Sequence, residues 1–169
     1  IHDHLPLREA AARGSVLPLY IVEPEYWQGA DTSGRQWYVV RESLVELQAA
    51  LHELGLPLIV RQGDAVNVLD ALRREQKIAA LWSHEETGNA FTFARDKRVA
   101  GWAREQAVVW TEIPQFGVMR RLKQRGGWVK HWEAHMNQSV QALPTTIEAV
   151  RHCVTENLPS AQELGMKED

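Results

Sequence analysis

The chain alternates between two kinds of apolar pattern, and that alternation limits its possible folds more than any other feature. Residues 16–22 (Val-Leu-Pro-Leu-Tyr-Ile-Val), 58–60 (Leu-Ile-Val), 78–82 (Ile-Ala-Ala-Leu-Trp) and 107–111 (Ala-Val-Val-Trp-Thr) are short, nearly continuous apolar runs. Their length and β-branched content predict buried strands. Between them, apolar residues recur three and four apart. Trp37, Val40, Leu44, Leu47, Leu51 and Leu54 form one helical stripe, closed by Gly55. Asp64 stands where it can cap a second helix carrying Val68, Leu69 and Leu72, and Asn89 or Thr92 opens a third that runs to about Gln106. Each strand–helix unit takes roughly 25–30 residues, the size of a βαβ unit, so a parallel sheet with right-handed crossovers is expected. Pro18 is a defect in the first strand, because it brings no N–H to a ladder. Residues 23–34, with Pro24, Gly29, Asp31, Ser33 and Gly34, read as a loop.

The chain opens on an Ala-rich helical stretch, residues 5–13, with Asp3 or His4 near its N-cap and Gly14 as its stop. A doubly wound sheet ordinarily begins with a strand near its centre. The expected fold is therefore α/β, a Rossmann-like doubly wound parallel sheet of about five strands whose first strand is missing from the chain. With 44% apolar residues, 169 residues suffice for one core. After Pro114 the character changes. Arg120, Arg121, Lys123, Arg125 and Lys130 form a basic run, a helical stretch is expected at 128–136, and 141–144 read as a linker. The expected division is 1–117 for the α/β domain and 118–169 for a basic helical extension and linker. The tail offers few core candidates and is expected to pack against something outside these residues.

Composition excludes several classes. The net charge of −3 is not the footprint of a domain that binds nucleic acid through overall basicity. No apolar run approaches the length of a membrane-spanning helix, so no membrane partner is expected. Ile1-His2-Asp3-His4 is not a signal peptide. One cysteine, Cys153, rules out an internal disulfide framework and fits a reducing compartment, so a cytoplasmic location is expected.

Six pieces, in order over nearly the whole chain, resemble the N-terminal domain of the DNA photolyase/cryptochrome family. Ile1-His2-Asp3-His4-Leu5-Pro6-Leu7 is similar to the segment after the family's first strand. Residues 17–24 (Leu-Pro-Leu-Tyr-Ile-Val-Glu-Pro) resemble its second strand, and 35–47, with Arg41-Glu42-Ser43-Leu44, its second helix. Residues 56–64 resemble its third strand and turn, Arg95-Asp96 a pair in its fourth helix, and 158–165 the lead-in to a second domain. His84-Glu85-Glu86-Thr87-Gly88-Asn89 most resembles bacterial photolyases. The resemblance implies an antenna-binding domain. Its chromophore would be a methenyltetrahydrofolate-type folate, or alternatively a deazaflavin or flavin. The catalytic FAD and the lesion pocket would belong to an absent helical C-terminal domain, which would be this domain's partner. UV-damaged DNA would be met only through the full-length protein. The parent would be a deoxyribodipyrimidine photolyase that repairs pyrimidine dimers with blue light. The alternatives are a cryptochrome photoreceptor and a free-standing nucleotide-binding α/β module. No catalytic residue is expected on this chain.

In parallel α/β sheets ligands bind beyond the carboxyl ends of the strands, so residues 83–89 are the expected site. A carboxylate there can take two hydrogen bonds from a pterin's amino group and ring N–H. By resemblance to members with a His-x-Glu pattern, His84 and Glu86 match, and Glu86 would be the folate ligand with Glu85 second. The plainer reading makes both solvated loop acids with a capping role. Asn89 stands beside them, and Asp31 opens a loop whose backbone N–H groups could meet a ligand's anionic tail. Trp27, Trp37 and Tyr38 border the second crevice loop and could stack on a flat chromophore, although core packing is the commoner fate of such rings. Trp82 is expected in the core, and Trp128 and Trp132 one helical turn apart. His131 and His135 are spaced as in HExxH sites, but the glutamate is misplaced and a third ligand is lacking, so no metal is expected. Cys153 reads as an inert thiol. The basic run reads as a solvated or interdomain face more readily than a DNA contact.

Overall fold

The computed structural model describes residues 1–120, 122, 124–144 and 146–166. The elements follow in the order α1 (Leu5–Ala11), β1 (Leu19–Val22), α2 (Pro24–Trp27), α3 (Gly34–Glu53), β2 (Ile59–Gln62), α4 (Ala65–Gln76), β3 (Ala80–His84), α5 (Ala90–Glu105), β4 (Val109–Ile113) and α6 (Trp128–Met136), the last entered through a 3-10 turn, Arg125–Gly127. Side-chain acceptors start four of the helices, three of them at positions the sequence suggests and the fourth at Ser33, inside the expected loop. His4 Nδ1 accepts the Leu7 N–H, Ser33 and Gln36 form a capping box, Asp64 Oδ1 accepts from Val66 and Asn67, and Asn89 Oδ1 from Phe91 and Thr92. The expected loop at 23–34 contains α2, which Pro24 opens with a preset φ.

All strand pairing is parallel. Leu19 stands opposite Ile59 in the β1–β2 pair, and Ala80 opposite Val109 in the β3–β4 pair. Among the described residues the strands hydrogen-bond as two separate pairs, not as one continuous sheet. The pairs nevertheless share a helical layer. Leu19 and Ile21 of β1, Leu81 of β3 and Trp110 of β4 pack on one cluster with Ala65 and Leu69 of α4 and Val99, Trp102 and Ala103 of α5. On the other side, Val22, Leu58 and Val60 join Leu7, Trp37, Leu44 and Leu51 in a second cluster. This is the α/β architecture the pattern predicts.

Three expectations need correction. The first strand begins at Leu19. Pro18 contributes only its carbonyl, to the Ile59 N–H at 2.8 Å, and Val16 makes an isolated bridge with Ala149. Trp82 is half-buried, and Arg13 covers its ring at 4.5 Å. The tail packs on this domain itself. Leu164 is 1% exposed inside the first cluster, joined by Leu158, Ala161 and Met166. Gln28 Nε2 donates to the Leu164 carbonyl and Trp37 Nε1 to the Pro159 carbonyl.

Candidate functional site at the carboxyl ends of the strands

Because the strands are parallel, their carboxyl ends share one rim, and acids stand at or just past three of these ends. Glu23 comes directly after β1, Glu85 and Glu86 directly after β3, and Glu112 lies in the last turn of β4. Asp96 of α5 joins them. Two guanidiniums hold these five carboxylates. Arg95 contacts Glu23 at 3.0 Å, Asp96 at 3.0 Å and Glu86 at 3.5 Å. Arg120 contacts Glu112 at 2.7 Å and Asp96 at 3.6 Å, lies 4.0 Å from Glu85, and gives two N–H groups to the Glu86 carbonyl, at 2.9 and 2.6 Å.

Burial, more than like charge, sets the pKa directions on the rim. Burial pushes the Glu23 carboxyl up against the stabilising pull of Arg95. Glu23 is only 6% exposed, and its Oε1 has no hydrogen-bond partner among the described residues. Burial also raises Asp96, with the charges of Glu112 and Glu86 adding to it. Beside Glu23, the Tyr20 phenol is pushed up to about 12, mainly by burial and further by Tyr26 and Glu23.

The Glu86 carboxylate caps its own loop. Oε1 accepts the Thr87 and Gly88 N–H groups at 2.8 and 2.7 Å, and Oε2 faces Arg95. A Cβ at position 88 would stand 2.8 Å from Thr92 Oγ1 and 2.9 Å from Glu86 Oε1, so a larger residue there would displace the Glu86 carboxylate from this cap. Among the described residues, the Glu85 side chain has one ion-pair contact, the long one to Arg120. A carboxylate offers about four lone-pair positions. Glu85 and the outer oxygen of Glu86 therefore keep acceptor capacity, which suits a ligand presenting N–H donors and not an anion.

Four other candidates fall in different places. Asn89 caps α5 and donates through Nδ2 to Asp31 at 3.3 Å, tying the 28–34 loop to the rim. An open cleft of about 330 Å³ lies along that loop, between Trp27, Ser33, Gly34 and Met166. His84 ends β3 instead of following it. Burial lowers its pKa, and its ring meets His4 edge-on at 4.8 Å. Trp37 is not a stacking platform. It is 1% exposed, packed edge-on against Trp27. Tyr38 faces solvent on α3. Trp128 and Trp132 lie 6.4 Å apart on α6, both partly exposed. No group of three metal-binding side chains occurs among the described residues. Cys153 is a free, half-buried thiol. No helix among the described residues is long and apolar enough to cross a membrane.

Sequence reasoning assigned no role to Glu23 or Glu112, named Arg95 only within the Arg95-Asp96 resemblance, and read Arg120 as part of a solvated or interdomain basic face. The acids carried a legible signal, an acidic residue at the end of an apolar run. Arg120 carried none, because it sits in a basic run and acts from about 34 residues beyond the loop it holds.

Comparison with known proteins places these features. The family model described as DNA photolyase matches residues 1–117. Over 107 residues the chain is 33% identical to the Cryptochrome DASH of Gloeobacter violaceus, covering 59% of this chain and 21% of that protein. Over 88 residues it is 41% identical to the deoxyribodipyrimidine photo-lyase of Escherichia coli, covering 48% of this chain and 19% of that protein. The chain thus spans about a fifth of the length of these relatives. Its fold matches a bacterial class III photolyase from Agrobacterium tumefaciens with a TM-score of 0.74 at 23% identity, over 96% of this chain and 36% of that one.

Proposed function

The chain belongs to the DNA photolyase family, and from that premise we propose that it is the light-harvesting domain of a deoxyribodipyrimidine photolyase. The carrying observation is the acceptor-rich rim at the carboxyl ends of β3 and β4, where ligands of doubly wound sheets bind. A methenyltetrahydrofolate-type chromophore fits that rim chemically. Its amino group and ring N–H would be held by Glu85 and the outer oxygen of Glu86, with Asn89 and Asp31 fixing the neighbouring loop. Once bound, the chromophore would supply absorption of near-UV and blue light. The protein's part is to bind it, orient it and hold it still. Repair would require FAD and damaged DNA on a further helical domain of the full-length protein. The basic 118–130 stretch supports a DNA contact less than its composition suggests, since Arg120 is committed to Glu112 and the Glu86 carbonyl.

The test is a titration with methenyltetrahydrofolate followed by near-UV absorbance and fluorescence, with a flavin and a deazaflavin in parallel. Saturable binding with a spectral shift supports a folate antenna. Binding of only the flavin or deazaflavin transfers the reading to that chromophore, and binding of none of them rejects it for this chain. A second reading, the equivalent domain of a cryptochrome photoreceptor, draws on the 33% identity to the DASH protein. Dimer-repair activity of the full-length protein separates the two.

A further inference from the structure

We propose that the His4–His84 contact is a proton-sensitive latch, in which proton uptake by the imidazole pair releases the first turn of α1 from β3. This goes beyond the chromophore reading and does not depend on it. The first turn of a helix has N–H groups with no intrahelical acceptor. In α1 one of these, from Leu7, is taken by His4 Nδ1 at 3.0 Å. Only an unprotonated ring nitrogen can accept. The same ring meets His84 edge-on, with centroids 4.8 Å apart and planes at 72°. His84 Nδ1 is buried and has no hydrogen-bond partner among the described residues. Two residues earlier, on the same face of β3, Trp82 carries Arg13 over its ring at 4.5 Å. The α1 segment is therefore clipped to β3 at two points, one near each end, and only one of them titrates near neutrality.

The charges around the pair come from several elements. On the N-terminal side, Asp3 favours protonated His84, but its Oδ1 also accepts the Gln141 N–H at 2.7 Å. From β4, the Ile113 backbone favours charged His84. From the far end of α1, Arg13 is ion-paired with Glu9 at 2.6 Å. Burial outweighs the favourable members of this set and holds both imidazoles below their usual range, with His84 adding to the effect on His4. A proton on His4 acts in three ways. It removes the cap acceptor, places positive charge at the positive end of the helix, and, once His84 takes a second proton, sets two cations edge to edge. Pro6 is buried and Leu7 is anchored in the first core cluster, so the opening is local. The released turn adjoins His84, the residue before Glu85 at the rim.

Amide exchange at pH 7.5 and 5.5, corrected for intrinsic rates and referred to residues 44–51 of α3, tests this. In the wild-type chain, residues 7–11 are expected to lose roughly tenfold in protection at the lower pH, the size of a lost N-cap. His4→Asn keeps a capping acceptor without a titrating ring and should abolish the loss, and His84→Asn should reduce it. The ring-proton titrations of His4 and His84 should have midpoints below about 6.5. Unchanged wild-type protection, or the full loss persisting in both variants, overturns the latch.

Discussion

Replacing Arg95 with methionine keeps much of the side chain's apolar volume and removes the guanidinium that serves three acids. The severest consequence falls on Glu23. Its side chain is 8% exposed, one carboxylate oxygen already has no partner among the described residues, and Arg95 at 3.0 Å is its ion-pair partner. Removing one member of a buried pair costs about 3–5 kcal/mol, because a charge is left uncompensated. Arg95 itself is 22% exposed, so solvent recovers part of that. The expected loss for Arg95→Met is about 2–3 kcal/mol, read as a fall in the urea midpoint at unchanged slope. The reasoning also fixes the sign of the rescue. Glu23→Gln removes the stranded charge, so the double variant should be more stable than Arg95→Met alone, with a coupling of about 1–2 kcal/mol in the double-mutant cycle. The wild-type carboxyl is raised by burial, so ionising Glu23 costs stability as pH rises from the unfolded carboxylate value through the raised one. Glu23→Gln should flatten that part of the stability–pH curve. A loss below about 0.5 kcal/mol in Arg95→Met, or a double variant no better than the single, would refute the idea that charge compensation holds the rim together.

Other perturbations separate the remaining contacts. Glu86→Ala should weaken chromophore binding by about 1–3 kcal/mol through lost charge-assisted hydrogen bonds, checked by the folate titration, and unchanged affinity removes Glu86 from the site. Asp64 lies low because Arg98 at 2.6 Å and the N–H groups of Val66 and Asn67 outweigh its burial. Asp64→Ala should therefore cost about 1 kcal/mol at pH 7 and almost nothing below the folded carboxyl's pKa, measured by denaturation at both pH values. Trp37→Phe removes the 3.0 Å bond to the Pro159 carbonyl, so it should cost about 1–2 kcal/mol and speed proteolysis at 158–166. Gly117→Ala drives a methyl group into the Trp132 indole, so it should displace α6 and red-shift tryptophan emission without altering the main unfolding midpoint.

Much of the architecture was legible because it rests on local rules. The stripe ending at Leu54 buries Trp37, Leu44 and Leu51. Asp64 and Asn89 cap the helices they precede, and α6 runs from Trp128 to Met136 as its pattern predicts. Strand ends were displaced by two residues where alanines led the run, since Ala79 adds little to a pleated surface and the ladder starts at Ala80. His84 falls in β3 because the ladder continues to pair it with Ile113. The rim was legible only in part. Its acids follow apolar runs, but Arg95 and Arg120 reach them across the fold, and no local pattern announces such contacts. Trp37 misled because the same stripe that defines a helix also decides which rings it buries.

The returning tail sets the order in which this chain can become a finished object. The outer edge of β2 is closed by residues made very late. The Val60 N–H goes to Thr155 Oγ1, 95 positions away, and the Val60 carbonyl takes the Glu156 N–H. On a ribosome adding about 5–20 residues per second, β2 emerges seconds before its cover does. During that interval a strand of Leu58, Ile59 and Val60, each at most 5% exposed in the finished fold, offers an unpaired edge to any passing chain. Arg61, with ion-pair contacts to Glu75 and Glu156 in the finished fold, places a charge within that edge. Until Glu156 arrives, that charge is the strand's main defence against pairing with a neighbour during synthesis.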